Sequence, residues 1–216
     1  MSRWQRSVSG LFFALGLCVA APAQAGVWQV QVDTTALAGT SAVLAFDLVD
    51  GGLAANSVLL SGFVSTGGAL MSEASSGDVT GSLAALGAVT LGDAGFFNEH
   101  LATVMLGTSL RFAFNASSLP AEAGAFPDSF SFFMLNPVTG LPAFATSDAS
   151  GALFTLELSG APAGPVTVFT ALGNEVQVSV TAVPEPMSAG LLLLGLCALG
   201  LLGSLRVRRS LAPRRG

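Results

Sequence analysis

The feature that most limits the fold of this chain is an alternation of apolar and polar residues with a period of two. In the first example, Trp28, Val30 and Val32 alternate with Gln29 and Gln31. Successive side chains of a β-strand point to opposite faces, so this alternation is typical of strands that bury one face in a core. It predicts strands over residues 27–33, 42–49, 57–66, 103–115, 129–135, 152–159 and 175–183, with one or two weaker strands over 78–91.

The breaks between these segments are short and rich in glycine, as in Asp50-Gly51-Gly52. No convincing amphipathic helix is found between residues 26 and 183. Short strands with glycine-rich turns and no helices are typical of antiparallel all-β domains. We therefore predict an all-β fold, an antiparallel two-sheet sandwich of jelly-roll type, and keep closure of one sheet on itself as the alternative.

The N-terminal residues have the layout of a secretory signal peptide. Arg3 and Arg6 precede an apolar core over residues 11–19, and small residues follow it. A positively charged start, a short apolar core and an A-x-A site are the marks of such a peptide. We predict passage through the Sec translocon and removal of residues 1–25 by signal peptidase. The predicted cleavage site consists of Ala23, Ala25 and Gly26.

The C-terminal region, residues 183–216, contains an uncharged apolar run over residues 187–205. The run is about the length that a helix needs to cross the ~30 Å hydrocarbon core of a bilayer. Positive charges directly after such a run favour a cytoplasmic C-terminus. We therefore predict one transmembrane helix followed by an arginine-rich cytoplasmic tail that includes Arg206, Arg208 and Arg209.

A Pro-Glu-Pro motif stands directly before the apolar run, at Pro184, Glu185 and Pro186. Motif, apolar helix and arginine cluster, in this order at the extreme C-terminus, resemble the PEP-CTERM sorting signal of Gram-negative bacteria. The resemblance implies recognition by an exosortase, which is a membrane-embedded cysteine peptidase or transpeptidase, and transient anchoring in the inner membrane. It further implies removal of the tail and delivery to the cell surface or the exopolysaccharide matrix. Residues 32–40 also resemble the V-D-T-[ST]-x-L-x-G-T opening of a group of uncharacterised PEP-CTERM proteins.

The segment between the two ends, residues 26–182, is long enough to form one secreted domain with its own core. It is strongly acidic, because Arg111 is its only lysine or arginine and every acid of the chain except Glu185 lies in it. This charge disfavours nucleic acid and anionic membrane surfaces as partners. Both cysteines, Cys18 and Cys197, lie outside the segment, so we expect neither disulfides nor thiol chemistry in it.

The domain provides no complete catalytic set, and we predict that it is not an enzyme. A Ser–His–acid triad needs one imidazole that reaches both a hydroxyl and a carboxylate. His100 is the only histidine, and its neighbour Glu99 would point to the opposite face of a strand. We therefore interpret His100 as a surface-loop residue. With one histidine and no cysteine, the domain also lacks the ligands of a zinc site.

The carboxylates leave two possibilities open. Two of them could act together in glycoside hydrolysis, as Asp47 with Asp50 or Asp128 with Asp148. Calcium binds several oxygen ligands from carboxylates and loop carbonyls, and three acids stand in loop-like segments. These weak calcium candidates are Asp50, Asp93 and Asp148. No other cofactor is predicted.

Taken with the resemblance, these features predict an exported protein with a structural or adhesive role associated with exopolysaccharide. A carbohydrate-binding or calcium-binding module is the alternative, and a carboxylate-dependent hydrolase is a third hypothesis. Residues 136–151 form the longest predicted loop. Long loops on a rigid scaffold often carry recognition, so this loop is the surface where we would look for a ligand.

Overall fold

The structure is a computed structural model that describes residues 26–52, 56–117, 126–159 and 164–183. The predicted signal peptide, the Pro-Glu-Pro motif, the predicted helix over 187–205 and the arginine tail lie outside the described residues. Within these four ranges, no helix is long and apolar enough to span a membrane.

The regular structure of the described residues consists of twelve strands and one short 3-10 helix, Thr35–Leu37. In chain order the strands are β1 (Gly26–Asp33), β2 (Ser41–Val49), β3 (Ser57–Thr66), β4 (Ala69–Ser76), β5 (Val79–Ser82), β6 (Ala88–Gly92), β7 (Phe97–Met105), β8 (Ser109–Ala116), β9 (Asp128–Leu135), β10 (Phe154–Leu158), β11 (Thr167–Val168) and β12 (Gln177–Val183).

These strands form two sheets of six strands each. Sheet I has the order β12-β1-β8-β3-β6-β5, and sheet II has the order β11-β10-β9-β2-β7-β4. Neighbouring strands pair antiparallel, as in β1 with β8 and β2 with β7. The chain crosses from one sheet to the other several times, for example between β2 and β3. The predicted all-β architecture of two antiparallel sheets is confirmed.

Phenylalanine rings from both sheets form the centre of the core. The ring of Phe112, on β8 of sheet I, lies 5.2 Å from the rings of Phe46 and Phe132 on sheet II. Phe114 of sheet I stacks on Phe154 of sheet II at a ring distance of 5.5 Å. Such pairs contribute about 0.5–1.5 kcal/mol each beyond the area that they bury. The two sheets therefore pack face to face through the apolar side of the alternation.

Most predicted strands are confirmed to within two residues at each end, and β3 has the predicted bounds. The prediction of one strand over 103–115 is wrong, because β7 and β8 are separate strands of different sheets. The chain turns between them at Gly107, where a Cβ atom would lie 1.9 Å from the carbonyl oxygen of Thr66. Apolar residues occupy even-numbered positions both before and after this turn, as at Val104 and Leu110. The alternation therefore continues through the turn and does not indicate that one strand ends and another begins.

The alternation also fails to predict β4 and the first half of β7. In β4, an edge strand, most side chains are exposed on both faces. In β7 the inward-facing residues are Asn98 and His100, which are polar but buried. The Asn98 amide donates to the carbonyl oxygens of Leu48 and Gly95, and its Oδ1 accepts from the N–H of Asp78 at 2.7 Å. Buried polar groups need such partners. Because these residues are polar, a hydrophobicity pattern assigns them to the surface and does not indicate the strand.

Candidate functional site

Three carboxylates meet at one end of the sandwich. Asp50 follows β2, Asp93 follows β6, and Asp128 begins β9. One carboxylate oxygen from each lies within 4.8 Å of the other two. Asp128 is 0 % exposed, whereas Asp50 and Asp93 are half-buried. We call these three residues the acid cluster.

Hydrogen bonds hold two of these carboxylates in position. Asp128 Oδ1 accepts from the N–H of Gly51 at 2.8 Å, and its Oδ2 accepts from the side-chain amide of Asn56 at 2.7 Å. The backbone N–H of Asn56 donates to Asp93 Oδ2. Gly51, after β2, and Asn56, before β3, are thereby both bonded to the acid cluster. Carboxylates that are oriented in advance lose little entropy when they bind a ligand.

The acid cluster has the donor chemistry of a site for a hard divalent cation. Calcium binds six to eight oxygens at about 2.3–2.6 Å, and carboxylates are its preferred protein ligands. Negatively charged carboxylates in close proximity also repel one another, and a bound cation relieves that repulsion. The arrangement can therefore bind a cation.

Asp50 and Asp93, two of the predicted calcium candidates, belong to the acid cluster, and Asp148 does not. The carboxylate of Asp148 accepts hydrogen bonds within its own turn, from the hydroxyl and N–H of Ser150 and the N–H of Ala152. The Ser150 hydroxyl bond in particular holds the pKa of Asp148 below its ordinary value. The carboxylate of Asp148 thus stabilises a turn.

Sequence reasoning did not place Asp128 with the other two acids. The pairing of β2 with β9 brings it there, because Val49 lies opposite Ser129 and the next residues in each direction are Asp50 and Asp128. The partner strand and its register are properties of the folded sheet. Nothing in the spacing of Asp50 and Asp128 along the chain indicates that they meet.

His100 is not a surface-loop residue, as the sequence predicted, but a buried residue of β7 that is 1 % exposed. Its Nδ1 lies 2.9 Å from the hydroxyl of Ser75, and its Nε2 lies 3.1 Å from Oε1 of Glu73. The carboxylate of Glu73 is thus the acidic neighbour of the ring. Both partners stand on β4, the strand that the alternation did not predict. Because the sequence did not predict β4, Glu99 was the one acid weighed as a partner of His100. The side chain of Glu99 does point to the opposite face of β7.

A hydroxyl, an imidazole and a carboxylate therefore do meet at His100. In a hydrolytic triad the hydroxyl contacts Nε2 and the acid contacts Nδ1, which is the reverse of the order seen here. Glu73 has further partners in the turn after β5, since its carboxylate accepts from the Ser82 hydroxyl at 2.6 Å and the Leu83 N–H at 2.7 Å. Glu73 therefore joins β4, at the edge of sheet II, to the end of β5, at the edge of sheet I. These contacts give Glu73 a structural role.

The two carboxylate pairs considered for hydrolysis differ from the arrangement in the structure. Asp47 lies directly opposite Glu99 across β2 and β7, and Asp128 lies beside Asp50 in the acid cluster. Burial, and then the charge of Glu99, raise the pKa of Asp47 to about 7. Burial also raises the pKa of Glu99.

The loop over residues 136–151 is partly folded onto the sandwich. The side-chain oxygen of Asn136 accepts from the N–H groups of Val138 at 2.8 Å and Thr139 at 3.2 Å, which closes a tight turn. Leu141 is 65 % exposed, but Phe144 packs against the core. Of these two apolar side chains, Leu141 is therefore the one that the loop presents to solvent.

Comparison with known proteins adds no family to this picture. No protein-family model, no curated protein and no solved structure matches the chain. The residues and their geometry are therefore the basis on which a function is assigned.

Proposed function

We propose that the chain is an exported, non-enzymatic protein of the cell surface or extracellular matrix, with a structural or adhesive role associated with exopolysaccharide. The observation that carries this proposal is the pair of terminal signals in the sequence. A signal peptide over residues 1–25 would start export, and the Pro-Glu-Pro motif with its apolar run and arginine tail would direct sorting by an exosortase. Between them lies a jelly-roll-like β-sandwich as the delivered domain.

The chemistry of the domain supports a role outside catalysis. His100 contacts Ser75 and Glu73 of the neighbouring strand, Glu73 joins the edges of the two sheets, and Asp148 stabilises a turn. An acidic surface with a single arginine also suits a protein that stays hydrated and apart from nucleic acid and anionic membranes.

Intact-mass measurement of the native protein, recovered separately from membrane, outer-surface and medium fractions, tests this function. We expect a product outside the cell that starts at Gly26 and ends near Pro184 to Pro186. Recovery only from the inner membrane, with Leu205 and the arginine tail retained, would overturn the proposal. The apolar run would then be a lasting anchor for a domain that faces the periplasm.

A calcium-binding module is the second candidate, and the geometry of the acid cluster favours it over a carboxylate-dependent hydrolase. The sequence named Asp50 and Asp93 as ligands, and the fold brings Asp128 to them. Calcium bound to the folded state alone would raise the melting temperature, by an amount that corresponds to about 2.7 kcal/mol at one hundred times the dissociation constant.

Thermal unfolding in calcium and in chelator tests this second candidate. We expect a higher melting temperature in calcium for the parent and for Asp148→Asn, whose residue lies outside the acid cluster. In Asp93→Asn the difference should disappear, because one of three charged ligands is lost. Equal melting temperatures of the parent in calcium and chelator would reject the candidate.

A further inference from the structure

A groove of about 470 Å³ lies on the outer face of sheet I, across β12, β1, β8 and β3. This volume falls in the range of about 300–1,000 Å³ that is typical of small-molecule sites. The groove lies on the face of the sheet that points away from the phenylalanine core. Its lining includes Gln29, Gln31, Val64, Arg111, Ser179 and Thr181.

Small residues and a bulge create the depression. Ala113 stands at the centre of the face, opposite Gln29 on one side and Ser61 on the other. The register of β3 with β8 shifts between Ser61 and Val64, and such a bulge bends its strand. Gly62 lies in this bulge with a φ of 64°, and no atom lies within 4 Å of the position where its Cβ would be. The small side chain of Ala113 and the missing side chain of Gly62 therefore leave room for the groove.

Arg111 is the charged group of the groove. It lies opposite Gln31 on β1 and opposite Val64 on β3. Among the described residues, none accepts a hydrogen bond from its guanidinium or forms an ion pair with it. The acid of β1 on the same face, Asp33, accepts hydrogen bonds at Oδ1 from the N–H and the hydroxyl of Thr35, at 2.9 and 2.6 Å, and forms no ion pair with Arg111. With respect to the described residues, the donors of this side chain, the only lysine or arginine of residues 26–182, are therefore available.

We propose that this groove binds a carboxylated saccharide, with the carboxylate on Arg111. A guanidinium matches a carboxylate with two parallel hydrogen bonds. Amide and hydroxyl side chains, here Gln29, Gln31 and Ser179, both donate and accept, as the hydroxyls of a sugar do. Val64 is 54 % exposed beside them and offers an apolar surface to the C–H face of a ring.

The negative charge of the domain restricts how many carboxylates the bound saccharide can carry. A polymer with a carboxylate on every unit would be repelled by the net negative charge of the domain, whereas a single carboxylate in an otherwise neutral stretch of sugar would be repelled less. The site deepens the proposed function and rests on it for the source of the ligand, which would be exopolysaccharide outside the cell.

Calorimetric titration of the full-length chain in detergent micelles tests the proposal. The probe is an aldobiouronic acid, a glucuronic acid joined to one neutral sugar, and its carboxyl-reduced form is the matched ligand control. We expect binding of the acid, at least tenfold weaker binding of the reduced form, and weaker binding as salt is raised. Arg111→Gln should weaken binding of the acid at least tenfold, and Arg111→Lys should restore part of the loss.

Ser72→Ala serves as the matched protein control, because Ser72 is an exposed polar residue of sheet II. It should leave the affinity unchanged, and all variants should keep the melting temperature of the parent. Absence of binding by the parent overturns the proposal, as does equal binding of the acid by parent and Arg111→Gln. Equal binding of the reduced sugar, or of N-acetylglutamate, overturns it too, since recognition would then need no carboxylate or no sugar.

The two proposals fail separately. Binding is measured on purified protein, whereas export is measured by the mass of the native product in each cell fraction. If the protein is exported but does not bind the acidic disaccharide, the proposed site is rejected and the proposed function stands. If the protein binds the disaccharide but stays in the inner membrane, the proposed function is rejected and the proposed site stands.

Discussion

Asp47 on β2 lies directly opposite Glu99 on β7, and among the described residues Oδ1 of Asp47 is buried without a hydrogen-bond partner. Two carboxylates on one face of adjacent strands repel each other when both are ionised. Burial, and then the charge of Glu99, raise the pKa of Asp47 to about 7. Near neutral pH this side chain therefore holds its proton far more readily than an ordinary aspartate.

The first prediction concerns the replacement of Asp47 by asparagine. The folded state binds the Asp47 proton more tightly than the unfolded state, so this residue lowers the free energy of unfolding as pH rises from about 4 through about 7. Asp47→Asn should raise the free energy of unfolding at pH 8 by about 1–3 kcal/mol, and the gain should shrink toward pH 4. Urea unfolding across this range measures the effect.

Asp33→Asn provides the control of opposite sign. The hydroxyl of Thr35 lowers the pKa of Asp33, so its stabilising effect is present at neutral pH and is lost as pH falls through its folded-state pKa. The asparagine variant should therefore not become more stable at pH 8. A loss of stability in Asp47→Asn at pH 8 would contradict the first prediction.

The second prediction concerns His100 and has the opposite dependence on pH. Burial lowers the pKa of His100, while the charge of Glu73 opposes the change. The unfolded chain takes up the histidine proton first, so His100 reduces stability as pH falls from about 6.5 toward its lower folded-state pKa. His100→Gln should remove this contribution, so acidification from pH 7 to pH 5 should destabilise the variant less than the parent. An NMR titration of the ring checks the direction of the shift.

The third prediction concerns the aromatic core. The ring of Phe154 lies 5.4 Å from Phe132 and 5.5 Å from Phe114, so it contacts both sheets. Phe154→Ala should reduce the free energy of unfolding by about 3–5 kcal/mol, because it leaves a cavity between the sheets. Phe96→Ala is the control, since Phe96 is 75 % exposed and its loss should change stability by about 0.5 kcal/mol or less. Denaturant unfolding of both variants should separate them clearly.

The fourth prediction concerns the structural role of Asp128. Its carboxylate accepts hydrogen bonds from the N–H of Gly51 and the amide of Asn56. Asp128→Ala deprives both donors of this acceptor and should destabilise the domain by about 2–4 kcal/mol. Asp128→Asn keeps one carbonyl acceptor and should cost less. If the alanine and asparagine variants unfold at the same denaturant concentration, these hydrogen bonds do not contribute as inferred.

The alternation predicted the existence of most strands, because burial of one face requires apolar residues at every second position. It failed where that requirement is relaxed. Asn98 and His100 face the core as polar residues that have partners, and β4 is an edge strand with little to bury. The candidate residues had a similar outcome, since Asp50 and Asp93 could be named from their loop context but Asp128 could not.

The sequence by itself determined that the described part of the chain folds as antiparallel strands with an apolar face and an acidic surface, since local periodicity and charge are properties of the chain. Only the tertiary structure decided which side chains meet. Asp128 reaches Asp50 through the register of β2 with β9, and Arg111 reaches Gln31 through the register of β1 with β8. Strand pairing joins residues that are far apart along the chain, and the free energy that selects one register comes from packing of the whole sandwich.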